Sequence, residues 1–170
     1  LEVPQSWEDV YIMIADLQKV NMTFGLPGYE VFLYQNGGAF YANEGEYSLL
    51  NSAESVKAFQ KWTSFYTDFS LPLSYNFLNR FRTGEMPIAI QDYSAYNSLI
   101  AFAPEIRDDW EMTLVPGTQD EKGELCRFVG TGVTGAYLFR QADNVDDCWE
   151  FIRWWVSGET QSRYAREVEV

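Results

Sequence analysis

The sequence predicts an α/β fold, and three observations carry that reading. Apolar residues recur at helical spacing in several stretches, and short apolar runs of strand length, bounded by glycine, proline or asparagine, lie between them. A composition of 46% hydrophobic and 22% charged residues over 170 positions offers enough apolar surface for one ordinary core and argues against disorder. Interleaving of the two periods puts a short-stranded sheet between flanking helices.

The first helix is predicted over residues 7 to 20. Ser6 accepts from the first turn, Glu8 and Asp9 suit the positive helix end, and Trp7, Val10, Tyr11, Ile14 and Leu17 share one face. Gly25-Leu26-Pro27-Gly28 ends it in a loop, and Tyr29 to Gln35 forms a short helix closed by Asn36-Gly37-Gly38. Phe40 to Leu49 reads as a small hairpin around Asn43-Glu44-Gly45. The clearest helix starts at Ser52 and stops before Pro72, with Val56, Phe59, Trp62, Phe65, Tyr66 and Phe69 as its apolar stripe. A helix from about Tyr75 to Thr83 ends at Gly84, and Met86 to Gln91 follows as a buried strand.

Residues 93 to 103 are predicted helical up to Pro104, and Trp110 to Val115 a strand that ends in a turn at Pro116-Gly117-Thr118. Polar residues 119 to 124 form an exposed loop. Arg127 to Phe139 is predicted as a strand interrupted at Gly130, Gly132 and Gly135. Asp143 to Val156 returns to helix with Cys148, Phe151, Ile152 and Trp155 inward, and Gly158 breaks it before a last helix through about Glu167. One of the adjacent Trp154 and Trp155 has to point away from that face.

Composition removes whole classes of function. A net charge of -13 argues against nucleic acid, because affinity for the phosphate backbone comes from clustered Lys and Arg. The absence of histidine removes the commonest general base and metal ligand, so triad hydrolysis and histidine-zinc chemistry are not expected. Two cysteines, Cys126 and Cys148, match no zinc spacing, so no metal is expected; a disulfide between them stays open. Nor does any motif ask for a cofactor. Aromatic content of 17% is high, which fits a large aromatic core or a sugar-stacking surface. Leu1-Glu2-Val3-Pro4-Gln5 reads as the interior of a longer precursor.

A series of segments resembles the family 1 extracellular solute-binding proteins, the group that includes maltose-binding proteins. Val3-Pro4-Gln5-Ser6-Trp7-Glu8-Asp9 is similar to that family's helix opening after the first crossover between lobes, and Leu33-Tyr34-Gln35-Asn36-Gly37-Gly38 to its glycine-closed helix. The Ser52 helix, with Ala58 and Phe59, matches a third region. Phe81-Arg82-Thr83-Gly84-Glu85-Met86-Pro87-Ile88-Ala89-Ile90 resembles its helix-to-strand turn. Gly130-Thr131-Gly132-Val133, Trp149-Glu150-Phe151-Ile152 and the run from Gln161 to Arg166 resemble the return toward the other lobe.

The resemblance implies the C-terminal lobe of a type II periplasmic-binding-protein fold over residues 1–133, and over 134–170 a strand and helix segment returning toward the N-terminal lobe. It also implies a non-enzyme that captures a sugar or oligosaccharide outside the cell, on a lipid anchor, and delivers it to the transmembrane permease subunits of an ABC importer. Without its covering lobe the helix from Asp143 is expected to pack abnormally or to pair with another copy. That would be a non-native self-association.

Candidate ligand residues follow from position and chemistry. Asp92, Tyr93 and Tyr96 leave the sheet just after the strand ending at Ile90, where open α/β sheets bind ligands. Relatives carry Gly and then Trp there, and the tyrosines are the natural substitute for a stacking tryptophan. Tyrosine faces stack on pyranose rings and a carboxylate accepts from paired hydroxyls. Tyr29 and Tyr34 flank a loop that faces the cleft in relatives. Gly130, Thr131 and Gly132 offer a backbone that a ligand can approach closely, with one hydroxyl. Each has a structural alternative: core tyrosines, or a kink in a strand. Arg80 and Arg82 do not share a helix face, which favours separate surface roles. Two other functions stay open, a glycosidase or lyase fragment pairing Asp92 with Glu85 or Glu105, and a purely structural interaction domain.

Overall fold

Ser6 opens α1 (Trp7–Lys19) with a complete capping box: its hydroxyl accepts from the Asp9 N–H at 3.2 Å while the Asp9 carboxylate accepts from the Ser6 N–H at 2.8 Å. The computed structural model describes residues 2–120, 122–130 and 135–168. They fall into two compact units, Leu1–Gly130 and Thr131–Val170. The N–H of Ser6, then its hydroxyl and the Gln5 N–H, hold the Asp9 carboxyl below the usual carboxylate value. A lowered carboxyl pKa stabilises the fold above the ordinary value, and the contribution fades as pH falls through the lowered one. Asp9→Ala is therefore expected to cost about 1 kcal/mol near neutral pH and progressively less as pH falls below the ordinary carboxylate value and through the lowered one, read from urea melts across that range.

In the first unit α1 is followed by β1 (Phe24–Gly25), α2 (Tyr29–Gln35), the hairpin β2 (Tyr41–Ala42) and β3 (Tyr47–Ser48), and α3 (Ala53–Phe69). Then come α4 (Phe77–Arg82), β4 (Ile88–Ala89), α5 (Ala95–Phe102), and a hairpin of β5 (Thr118–Gln119) and β6 (Leu125–Cys126). Each ladder is two residues long: β1 runs parallel to β4, and β2 with β3 and β5 with β6 are antiparallel. Helices and short strands alternate as the sequence predicts, and the class is α/β.

The core forms where α1, α2 and α3 converge on three rings. Trp7 lies 4.2 Å from Phe32 and 5.9 Å from Phe65, and all three are essentially sealed from solvent. The Gln35 amide is enclosed with them. The Trp7 indole donates to Gln35 Oε1 at 2.7 Å, Thr118 donates to the same oxygen at 3.0 Å, and the Gln35 amide donates to the Pro116 carbonyl at 3.0 Å. Gln35 thereby ties α1 and α2 to the chain at 116–118, where Gly117 forms a parallel bridge with Ser6.

Several sequence expectations change. On α3 the buried positions are Ser55, Ala58 and Phe65, whereas Val56 and Phe59 are half exposed. Small residues let the helix sit close, and Ser55 satisfies its hydroxyl on the Leu49 carbonyl at 2.8 Å. Phe59 instead joins a partly exposed aromatic layer, 5.7 Å from Tyr29 and 5.9 Å from Trp62. Residues 110–115 form no ladder; they run as coil, because a strand needs a partner edge and none is bonded to them among the described residues. Gly117 and Thr118, expected in a turn, are the bridge and the start of β5. Of the strand expected over 127–139, residues 127–130 and 135–139 are coil, with Phe128, Tyr137 and Phe139 largely exposed, and 131–134, Val133 included, lie outside the described residues.

The second unit holds α6 (Val145–Trp155) and α7 (Gly158–Val168). Trp155 packs edge-on against Tyr164 at 5.3 Å, while Trp154 is 56% exposed, so Trp154 is the one that points away. Phe151, expected inward, is 59% exposed, and no described side chain of this unit is fully buried. Two helices alone offer too little surface to enclose it. Cys126 and Cys148 are both free thiols.

Candidate functional site

The site is built where two neighbouring parallel strands release the chain. Phe24 pairs with Ile88 and Gly25 with Ala89. A Cβ on Gly25 would fall 2.3 Å from that of Ala89, so only glycine allows this approach. Gly84, at φ +75, closes α4 and turns the chain into β4, and the Ile90 N–H bonds the Gly25 carbonyl at 2.9 Å. Beyond the carboxyl ends, Leu26-Pro27-Gly28 leads into α2 and Ile90 to Ser94 into α5.

Tyr75 joins the two exits. Its hydroxyl donates to the Leu26 carbonyl at 3.2 Å and accepts from the Gln91 amide at 3.4 Å. Burial pushes that phenol above its ordinary pKa, so it remains a donor at neutral pH. Trp62 adds a bond to the Pro27 carbonyl at 3.1 Å. The loops around the strand ends are thus held on both sides, and the residues after Gln91 project from a fixed base.

Those residues are Asp92, Tyr93 and Tyr96. The Ala95 N–H bonds the Asp92 carbonyl and the Tyr96 N–H the Tyr93 carbonyl, a tight turn into α5 that lifts both rings outward. The rings lie parallel within 8°, centroids 6.0 Å apart, with Tyr93 74% and Tyr96 39% exposed. Among the described residues the exposed Asp92 carboxylate makes no hydrogen bond or ion pair. Such a pair of rings beside an uncommitted carboxylate provides a flat apolar face and an acceptor side by side.

The other candidates are placed differently. Tyr29 gives its hydroxyl to the Ser55 carbonyl at 2.9 Å and sits among Phe40, Phe59 and Trp62. Tyr34 lies edge-on to Phe40 and Phe128, each at 6.0 Å, and the backbone of Gly130 passes against its ring. Tyr34 and Gly130 therefore share one place, and Phe40 links it to Tyr29. Thr131 and Gly132 lie outside the described residues. Arg80 pairs with Glu85 at 3.4 Å and Arg82 with Glu105, so the two glutamates considered beside Asp92 as acid and base are each held by an α4 arginine.

Sequence reasoning missed Trp110. It meets Tyr96 edge-on at 5.8 Å, extending the tyrosine pair to three rings. Its indole Nε1 is buried and finds no acceptor among the described residues. An unmet buried donor costs about 1–3 kcal/mol, and few native groups are left so. Trp110, Gln91 and Tyr96 border a cleft of about 440 Å³ between β4, α5 and residues 109–116. No sequence spacing announces it, because the rest of α5 and a further helical turn at 104–106 separate Tyr96 from Trp110.

The bacterial extracellular solute-binding protein family matches this chain over residues 2–168. The chain belongs to that family. Its members are extracellular binding proteins rather than enzymes by description. The solute-binding fold is also found in a solved ABC transporter solute-binding protein from Thermotoga lettingae, bound with α-D-tagatose, at a TM-score of 0.65 and 16% identity. The match covers 98% of this chain and 45% of that one, so this solute-binding chain spans less than half the length of its structural relative. No curated protein matches it. Among the described residues no cluster of acidic or cysteine side chains is arranged to hold a metal, and no helix is long and apolar enough to cross a membrane.

Proposed function

We propose that the chain is the C-terminal lobe, residues 1–133, of a sugar-binding protein that serves an ABC importer, with residues 134–170 returning toward the other lobe. The ligand is an oligosaccharide or related sugar, closed between two lobes and passed to the permease, and the protein is held at the cell surface by a lipid anchor. Tyr93 and Tyr96 stack on the sugar and Asp92 accepts from its hydroxyls; Tyr29, Tyr34, Gly130, Thr131 and Gly132 are the further candidates for contact with it. The parallel, exposed tyrosine pair at the carboxyl end of β4 carries this reading. Family membership and the tagatose-bound relative support it.

A sugar panel on the two-lobed protein tests the function: one sugar should raise the melting temperature, and none should yield new reducing ends. Cleavage of any glycoside overturns the binding-protein reading. With the sugar found, Asp92→Ala is expected to weaken its binding about ten- to a hundredfold, by loss of a charge-assisted hydrogen bond, at unchanged melting.

A further inference from the structure

The Tyr75 hydroxyl has one proton, and that proton decides which way a neighbouring amide faces. Tyr75 donates to the Leu26 carbonyl at 3.2 Å, so its oxygen has only lone pairs left for Gln91, 3.4 Å away. Gln91 therefore turns its NH2 group to the phenol, because an amide oxygen in that place would face another oxygen with no proton between them. Oε1, the other prong of the amide, accepts from no described residue, and the Gln91 side chain is exposed. One N–H of the same amide is left over as well. Gln91 directly precedes Asp92 in the chain and lines the same cleft as Tyr96, so it stands beside the tyrosine pair in sequence and in space.

Resting on the sugar-binding reading above, we infer that Gln91 is a further sugar-binding residue and that Tyr75 is its positioning residue. Sugar hydroxyls both donate and accept, whereas the Asp92 carboxylate only accepts. The Gln91 amide supplies both functions, an acceptor at Oε1 and a donor at the spare N–H. Tyr75 holds them in one orientation before the ligand arrives, which lowers the ordering cost of binding. Burial keeps the proton on Tyr75 above the ordinary phenol range, so the arrangement persists across neutral pH.

The positioning is read on the 170-residue chain without any sugar. With ¹⁵N-labelled glutamine, the pair of side-chain signals lost in Gln91→Ala identifies Gln91. Tyr75→Phe keeps the ring and removes the hydroxyl, and should move that pair toward the position of a free glutamine amide. Signals that stay in place overturn the positioning role. On the two-lobed protein, with the sugar found, Gln91→Ala should weaken binding about three- to tenfold at unchanged melting. Tyr75→Phe should weaken it by less than that in the parent, and hardly at all in the Gln91→Ala background, because it acts through the amide. Equal losses in the two backgrounds overturn the positioning role. Parent affinity in Gln91→Ala, with binding lost on replacing Tyr93 and Tyr96 by alanine, overturns Gln91 and leaves the tyrosine platform standing. The opposite pattern, a loss in Gln91→Ala and parent affinity without the two tyrosines, keeps Gln91 and overturns the platform.

Discussion

Replacing Tyr93 and Tyr96 together by alanine is expected to weaken sugar binding by two orders of magnitude or more in the two-lobed protein. Each ring offers one face to a pyranose, and truncating a buried stacking aromatic costs about 1–3 kcal/mol, or roughly ten- to a hundredfold apiece. The pair is stacked on itself, so loss of one ring also frees its neighbour, and the double change should exceed either single one by less than their product. Melting should hardly move, because Tyr93 is 74% and Tyr96 39% exposed, and neither belongs to the buried core. Titration calorimetry with the sugar that raises the melting temperature measures the effect. Parent affinity in the double variant would mean that the rings are surface packing.

The largest expected effect on stability is at Trp7. Trp7→Ala is expected to cost about 3–5 kcal/mol, the range for deleting a buried tryptophan or phenylalanine from a core. Trp7 is 1% exposed, touches Phe32 and Phe65, and closes the Gln35 network through its indole. Domains of ordinary size hold about 5–15 kcal/mol in all, so the variant should stand near unfolding at physiological temperature. Trp7→Phe keeps most of the volume and loses the hydrogen bond, and should cost appreciably less. Urea unfolding followed by far-ultraviolet circular dichroism measures both. A loss below about 1 kcal/mol for Trp7→Ala would place the core elsewhere.

What the sequence made legible is local. Ser6 and Asp9 announce α1 because a capping box lies within four residues, and Gly84 marks the turn into β4 because no other residue closes that helix so readily. The position of Asp92 to Tyr96 at an element boundary was legible for the same reason, while their role toward a sugar remains the proposal made above. The failures are tertiary. On α3 the stripe is right at Trp62, Phe65, Tyr66 and Phe69, which lie in or against the core, but Val56 and Phe59 are half exposed, and the buried Ser55 and Ala58 were not expected because small residues give little hydrophobic signal. Residues 110–115 have the composition of a strand but no bonded edge among the described residues. Phe151 was expected inward from helical spacing, which fixes a shared face and not what covers it. Trp110 joins the site through folding alone.

The central claim, that the residues following β4 are the sugar-binding surface, is tested most directly by nuclear Overhauser contacts between bound sugar and ring-labelled tyrosine in the two-lobed protein. The account predicts contacts from the sugar C–H protons to the rings of Tyr93 and Tyr96, assigned through the two phenylalanine variants. A sugar that binds with contacts only to other rings, and none to these two, would contradict it.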